Sequence, residues 1–339
     1  MTANPCAVTK DRNPLSAGKI IFGLLGVFSL LLILRNSDIA IDYMSRGLSL
    51  CAKTVVPSLF PFMVLAEMIV SSGAISLIPY CLQKPLQKLF RLSPEGCSAL
   101  LVGLLCGFPI GARCTVLALE RGGVSREEAE RLLAFSNVPS SAFLISAVGG
   151  SLYGNPRFGI ALYATVLLSA IVTGIGIGRL PKKTRPDQGG ISLPVHINTH
   201  QPPVLIFCNS IQAALRNILL VCSYVIFFSA LLGTLQFLPL VQELPEAIKA
   251  LLFCTFEISG GVSHAAALKE PLQAALLTAA GVGWSGLSVH CQIISICDGY
   301  HLSMRTYFAA KLFQALLCTV TLAIVLGISP TLLLVGTPC

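Results

Sequence analysis

The chain has 339 residues, of which 54% are hydrophobic and only 11% are charged. A soluble domain carries roughly 25% charged residues, so this composition excludes an ordinary soluble protein and indicates several membrane spans. The net charge of +8 does not indicate a nucleic-acid partner, because the basic residues lie in loops beside apolar runs with no aromatic residues interleaved.

The first apolar run, IIFGLLGVFSLLLIL, follows Lys10, Arg12 and Lys19. No small-x-small cleavage site comes after it, so we expect a retained transmembrane helix rather than a removed signal peptide. The thirteen cysteines are scattered and form no CxxC or Cys/His metal spacing, so we expect buried small side chains and no disulfides, metal or other cofactor.

The rest of the chain contains an internal repeat. With an offset of 148 residues, LLCGFPIG beginning at Leu104 aligns with LFCTFEIS beginning at Leu252. With an offset of 144, LLAFSNVPSS aligns with LLTAAGVGWS. The matches keep the same order, which predicts two copies of one unit. The predicted boundaries are an N-terminal segment with the first helix (1–53), unit 1 (54–179), a cytoplasmic linker (180–205), unit 2 (206–328) and a tail (329–339).

Each unit contains four apolar segments, of which two are broken. The segments are a full span (54–75 and 206–236), a broken segment (97–120 and 247–268), an interrupted span (128–150 and 272–297) and a last span (157–179 and 305–328). Each broken segment is either a kinked helix or a re-entrant hairpin of two half-helices. Hairpins leave three crossings per unit, and this odd number inverts unit 2 relative to unit 1. The resulting topology places more of the basic loops on one side of the membrane than a topology with kinked helices does. We predict an all-α polytopic membrane protein with two inverted repeats, seven crossings, two hairpins and a cytoplasmic N-terminus.

Inverted repeats with broken helices are typical of secondary transporters, which bind substrate near the bilayer midplane. A half-helix begins after each hairpin tip, and its free N–H groups and positive dipole end favour an anion. The residues that we predict to bind substrate at the tips are Gly107, Pro109, Gly111 and Arg113 in the first hairpin and Glu257, Ser259, Gly260 and Gly261 in the second.

Two tip residues carry charge, and each has alternative roles. Arg113 can hold a carboxylate through its planar fork, reach the cytoplasmic interface, or pair with Glu257. Glu257 can carry a coupling proton, cap free N–H groups, or lock the two tips together.

Further candidates lie where Pro139 and Gly281-Val282-Gly283 interrupt the third segments. Polar side chains there can satisfy either a ligand or unwound backbone. These candidates are Asn137, Ser140, Ser141, Trp284 and Ser285, with His290 and Gln292 in the following GLSVHCQ.

The motifs VPSLFPF, GFPIGA, EEAERLLAFSNVPSSAFL, E-x-S-G-G and GLSVHCQ occur in this order. Together they resemble the sporulation integral membrane proteins of the YlbJ type, which carry paired nucleoside-recognition (gate) domains, over about residues 40 to 328. The resemblance implies a fold like that of concentrative nucleoside transporters. It also implies movement of dipicolinate out of the mother cell across the outer forespore membrane.

No GxSxG, HExxH or Walker motif occurs, so we expect neither an enzyme nor an ATP-driven pump. We expect a multi-pass protein of the cell membrane or outer forespore membrane that transports a small organic anion with a proton or sodium as coupling ion. A carrier of nucleosides or other small solutes and a non-transporting scaffold for spore assembly are the alternatives. The lipid bilayer is the expected partner, and homo-oligomer formation is left open.

Overall fold

The computed structural model describes residues 17–73, 80–179 and 202–333, and within these ranges the chain is helical with no β-strand. Most of the predicted linker and the end of the tail lie outside the described residues. The helices are α1 (Ala17–Arg35), α2 (Ser37–Leu50), α3 (Val56–Ser71), α4 (Tyr80–Phe90), α5 (Pro94–Cys106), α6 (Ile110–Glu120), α7 (Arg126–Ser136), α8 (Pro156–Gly178), α9 (Pro203–Leu235), α10 (Pro239–Gln242), α11 (Glu246–Phe256), α12 (Ile258–Ala266), α13 (Pro271–Trp284), α14 (Leu287–Ile296) and α15 (Arg305–Ile328).

The prediction of an all-α, multi-span membrane protein is confirmed. In the described part of the chain, five helical segments are long and apolar enough to cross a bilayer, and a bent pair formed by α4 and α5 would make a sixth. The five are α1, α8, α9, the stretch Pro271–Ile296 and α15. The expected count of seven also included 54–75, of which α3 covers only Val56–Ser71, and 128–150, which the non-helical residues 137–140 divide into α7 and the π-helix Ala142–Leu152. Seven crossings therefore remains a prediction.

Both broken segments fold into helical hairpins rather than kinked helices. A Cβ atom added to Gly103 of α5 would lie 2.9 Å from the Cα of Gly111 in α6, whereas residues eight apart in one straight helix are about 12 Å apart. In the second segment, a Cβ on Gly261 would lie 2.4 Å from the Cα of Cys254. The half-helices thus pack side by side, and glycine makes their close approach sterically feasible.

Both third segments are interrupted, although the second break differs from the prediction. After α7, residues 137–140 leave the helix, as expected around Pro139. In unit 2 the helix continues through Gly281-Val282-Gly283 and breaks at Ser285 and Gly286, which have φ values of 82° and 81°. Gly281 and Gly283 instead let α13 pack closely on Cys254 and Ala315, so they serve packing rather than interruption.

The first span of unit 1 begins earlier than predicted. Helical backbone runs from Ser37 to Ser71 through the π-helix Cys51–Val55. The prediction missed the start of this segment because α2 has a polar face with Asp42 and Arg46, and hydropathy alone does not recognise an amphipathic helix. This segment packs against α9.

The direction of that packing follows from three contacts. Gly47 of α2 faces Ser229, Tyr43 faces Gly233, and the Cys51 thiol lies 4.0 Å from a backbone oxygen of α9. The residue numbers fall along α9 as they rise along α2, so the two long helices are antiparallel.

Helices α8 and α15 are antiparallel as well. The Cys318 thiol lies 3.1 Å from the Ser169 hydroxyl in the middle of the pair. Toward one end, the Asn155 side-chain amide donates a hydrogen bond to the Leu332 carbonyl at 3.0 Å. The start of α8 therefore lies beside the residues that follow α15.

The hairpin geometry yields a stability prediction. A Cβ at Gly111 would lie 2.5 Å from the Ser136 carbonyl oxygen at the end of α7, so Gly111→Ala should overpack the contact between the first hairpin and α7, at a cost of about 1–3 kcal/mol. Gly176→Ala is the matched control, because nothing lies within 4 Å of its added methyl group and alanine favours a helix by about 1 kcal/mol. Thermal unfolding in detergent should show a lower midpoint for Gly111→Ala alone. Equal midpoints would contradict the close packing of the first hairpin on α7.

Candidate binding site between the helix breaks

Three of the helix breaks, and the helix that follows the fourth, line one cavity, hereafter the central cavity. Its empty volume is about 490 Å³, mouth included. The first tip contributes Phe108, and the second contributes Glu257 and Ser259. Ser140 comes from the first interruption, and Gln292 comes from the helix after the second. The remaining lining residues are Val55, Leu59, Phe143, Val221, Val225, Ile258, Ser288 and Val289.

At the second tip, Glu257 caps the half-helix α12. Its side chain is 1% exposed, and its two carboxylate oxygens accept hydrogen bonds from the backbone N–H groups of Ser259 (3.0 Å) and Gly260 (2.6 Å). A carboxylate at a helix N-terminus satisfies free donors and offsets the positive dipole end. The expectation of free N–H groups facing an anion is therefore wrong at these two positions.

The first tip has a different arrangement. Pro109 precedes α6 and no side chain caps this helix start. The Phe108 N–H donates to the Val138 carbonyl at 2.8 Å, and a Cβ on Gly107 would lie 2.6 Å from the Ser140 nitrogen. The tip is thus fastened to the first interruption. Its positive helix end has no compensating side-chain capping group.

Two buried polar atoms in the central cavity have no hydrogen-bond partner among the described residues. They are the Ser288 hydroxyl and the Gln292 side-chain oxygen. The Ser140 hydroxyl, also in the cavity wall, accepts a hydrogen bond from the Phe143 N–H at 3.2 Å. Buried polar groups normally have partners, so Ser288 and Gln292 are available to a ligand or to water.

The predicted candidates Trp284, Ser285 and His290 lie beside the cavity without lining it. His290 Nδ1 shares a 2.7 Å hydrogen bond with the Tyr307 hydroxyl, and the Trp284 ring N–H donates to the Thr255 carbonyl at 3.1 Å. The Ser285 hydroxyl donates to a carbonyl of its own helix end. Ser141, Gly260 and Gly261 are likewise outside the lining, so their contribution is to the backbone around the cavity.

Arg113 lies in a second pocket, hereafter the Arg113 pocket, of about 280 Å³. Its Nε donates to the Glu67 carboxylate at 3.2 Å, and the two side chains are 34% and 8% exposed. The pocket is lined by Met63, Ala66, Glu67, Pro109, Ile110, Arg113, Cys114, Leu117 and Asn217, and it shares no residue with the central cavity. The arginine therefore pairs with Glu67 of α3 rather than with Glu257.

Sequence reasoning missed two buried polar residues on α15. The Lys311 ammonium donates to the Asn137 carbonyl and to the Gln314 side-chain oxygen, the latter at 3.0 Å. The Gln314 amide donates in turn to the Ala134 carbonyl at 3.1 Å. A lysine and a glutamine three residues apart in an apolar span are a usable signal, because helix positions i and i+3 share a face.

The described residues contain no group of three or more His, Cys, Asp or Glu side chains placed to hold a metal ion. Among the ten cysteines that the structure describes, none is in a disulfide. The polar chemistry available around the cavity is therefore that of carboxylate, amide, hydroxyl and backbone groups.

Comparison with known proteins places these features in context. No family model matches the chain, and no solved structure matches it. The chain is 25% identical over 317 residues to the sporulation integral membrane protein YlbJ of Bacillus subtilis (strain 168), covering 85% of this chain and 78% of that protein. This similarity over most of both lengths confirms that the chain is related to the sporulation integral membrane proteins of the YlbJ type.

Proposed function

We propose that the protein is a secondary transporter that acts in sporulation and moves a small organic anion, with dipicolinate as the first candidate and export from the mother cell as the direction. The convergence of three helix breaks, and of the helix that follows the fourth, on the central cavity carries this proposal. Irregular backbone at membrane depth is tolerated only where it is buried in protein or lines a cavity. Discontinuous helices around a central site are the usual substrate-binding arrangement in secondary transporters.

Reciprocal contacts support the proposed inverted repeats. Ser169 and Cys318, which touch in the antiparallel pair of α8 and α15, occupy nearly equivalent positions at the repeat offset of 148. Such a contact between equivalent positions is what a two-fold axis produces. The first long helices of the two units are also antiparallel.

A second pair of contacts has the same reciprocity. The Tyr153 hydroxyl lies 2.7 Å from the Thr278 hydroxyl, and the Ser303 N–H donates to the Glu130 carboxylate at 2.7 Å. In each contact, the loop after the interrupted span of one unit meets the third segment of the other. These contacts favour two units related by a pseudo-two-fold axis in the membrane plane.

The cavity chemistry supports a proton as the coupling ion. An anion that enters beside an ionised Glu257 is repelled, and protonation of that carboxylate removes the repulsion. Anion binding and proton binding to Glu257 are therefore linked, each favouring the other. The uncapped first tip attracts the carboxylates, and the Val55, Leu59 and Val221 side chains suit an aromatic ring.

A nucleoside is the second candidate, because Glu257, Gln292 and Ser288 offer hydrogen-bonding groups to hydroxyls and a base. Proteoliposomes that contain the purified protein should distinguish the two, using labelled dipicolinate and labelled uridine in separate assays. We expect saturable dipicolinate flux and no uridine flux. Uridine flux alone would replace the anion with a nucleoside. If neither compound moves and tip variants still support spore formation, the scaffold hypothesis would replace the transporter.

The proposed coupling predicts a pH effect that depends on one residue. Dipicolinate flux in the parent protein should fall as pH rises, by at most about tenfold per pH unit for a single required proton. Glu257→Gln mimics the protonated carboxyl, so its flux should vary little with pH. Glu246→Gln is the matched control, since Glu246 is an exposed carboxylate on α11 that pairs with Lys249. An unchanged pH profile in Glu257→Gln would restrict Glu257 to capping.

The inverted arrangement predicts opposite accessibility for equivalent loops. Two single-cysteine proteins, Ser151→Cys and Asp298→Cys, should be made with the thirteen native cysteines replaced. A membrane-impermeant thiol reagent should label Ser151→Cys in intact cells and Asp298→Cys only after permeabilisation, because the loop at 298 is cytoplasmic in the proposed topology. Labelling of both from the same side would refute the inversion.

The Arg113 pocket predicts a stability effect that is separate from binding. Arg113→Gln leaves the buried Glu67 carboxylate without its partner, so the midpoint of thermal unfolding should fall. The double variant Glu67→Gln/Arg113→Gln should recover part of the loss, with a coupling energy of about 0.5–3 kcal/mol. Dipicolinate affinity should change by less than about twofold in either protein, or roughly 0.4 kcal/mol. A tenfold loss of affinity in Arg113→Gln would assign the arginine to the substrate site.

A further inference from the structure

Lys311 is a buried lysine in the last membrane span of unit 2. It is 1% exposed, and it faces the break in unit 1. Its ammonium donates to the carbonyl of Asn137, the first residue of that break, and to the Gln314 side chain. None of the ion pairs among the described residues includes Lys311. Its polar contacts are therefore carbonyl oxygens rather than a carboxylate.

Lys311 and Gln314 donate to carbonyl groups at the end of α7, where the helix leaves its last carbonyls without amide partners. The last carbonyls of α7 lack the N–H groups that a continuing helix would supply, and in a membrane they need another donor. Gln314 satisfies Ala134, and Lys311 satisfies Asn137. A small monovalent cation surrounded by carbonyl oxygens would satisfy the same atoms.

The repeated fold does not require a lysine at this position. At the repeat offset of 148, the equivalent residue in unit 1 is Tyr163, whose hydroxyl donates to the Leu104 carbonyl at 3.1 Å. The second break closes through its own backbone, where the Ser285 N–H donates to the Gly281 carbonyl at 2.8 Å. The positive charge is thus specific to the first break. An ionisable side chain kept inside a membrane span is expensive and usually functional.

This break is also connected to the central cavity. Val138, next to Asn137, accepts the hydrogen bond from Phe108 at the first hairpin tip, and Ser140 lines the cavity. A group that fixes the Asn137 carbonyl therefore fixes the segment between the tip and the cavity wall.

We infer that the Lys311 ammonium is a tethered cation that takes the place of a free monovalent ion at the first break, so that the protein needs no sodium to organise its site. Lys311 is a positioning residue in this account, since it acts through the backbone of the break. Its effect on flux rests on the proposed transport function, whereas its effect on the stability of the break does not.

A stability experiment tests the inference without a substrate. Thermal unfolding of the purified protein should be followed in sodium, choline and ethylammonium chloride at equal ionic strength. The parent midpoint should be the same in the three salts. Lys311→Ala should have a lower midpoint and should recover at least half of the loss in ethylammonium, because this ion can enter the vacated space. Lys311→Met fills that space with an apolar side chain and should not recover.

The control is Lys249→Ala, which removes a lysine that has an exposed carboxylate partner and should show no response to ethylammonium. Selective stabilisation of the parent by sodium over choline would overturn the inference, and so would a folded Lys311→Ala protein that ethylammonium does not stabilise. If Lys311→Ala does not fold, the parent salt series decides the question.

Where flux is measurable, replacing sodium with choline should leave the parent rate unchanged. Absence of all flux would instead count against the transport proposal alone.

Discussion

The structure depends on one constraint, which is that backbone N–H and C=O groups at membrane depth need a partner in the protein or in a water-filled cavity. Four helix breaks expose such groups, and each break meets the constraint differently. At the second tip the Glu257 carboxylate accepts from two N–H groups. At the first tip, Phe108 bonds to Val138. Lys311 satisfies the first interruption, and a turn at Ser285 closes the second.

These different solutions make the two tips electrostatically unlike, although the proposed scaffold relates them by a pseudo-two-fold axis. One tip carries a carboxylate in the wall of the central cavity, whereas the other tip begins a helix that no side chain caps. In the proposed transport cycle, the uncapped first tip attracts the anion and Glu257 takes up the proton that accompanies it. A symmetric cavity with two uncapped tips would bind an anion but would offer no titratable group for coupling.

The sequence located the helix breaks because proline and glycine act locally. GFPIG and SNVPSS mark positions where the backbone loses donors or gains freedom, and the structure breaks there. The second interruption was misplaced because Gly281 and Gly283 serve close helix packing, a tertiary use of glycine that the sequence does not distinguish from a break. The polar start of the first span was missed because α2 is amphipathic rather than uniformly apolar.

The partners of the charged residues depended on tertiary structure. The sequence predicts an anion, the cytoplasmic interface or Glu257 as the partner of Arg113, whereas its carboxylate partner is Glu67, 46 positions earlier in the chain. Lys311 bonds to a carbonyl 174 positions away. Hydropathy registers such residues only as charges in apolar segments, and the inter-unit packing decides which atoms they meet.

Substrate protection of the cavity wall would test the central claim most directly. In a cysteine-free protein, Ser140→Cys places a thiol in the wall of the central cavity, and its rate of modification by a small neutral thiol reagent can be measured with and without dipicolinate. Our account predicts saturable protection at the concentrations that give half-maximal flux, with no protection of a thiol at the exposed Ser151. Modification of Ser140→Cys at an unchanged rate under saturating dipicolinate would contradict the claim that the central cavity is the substrate site.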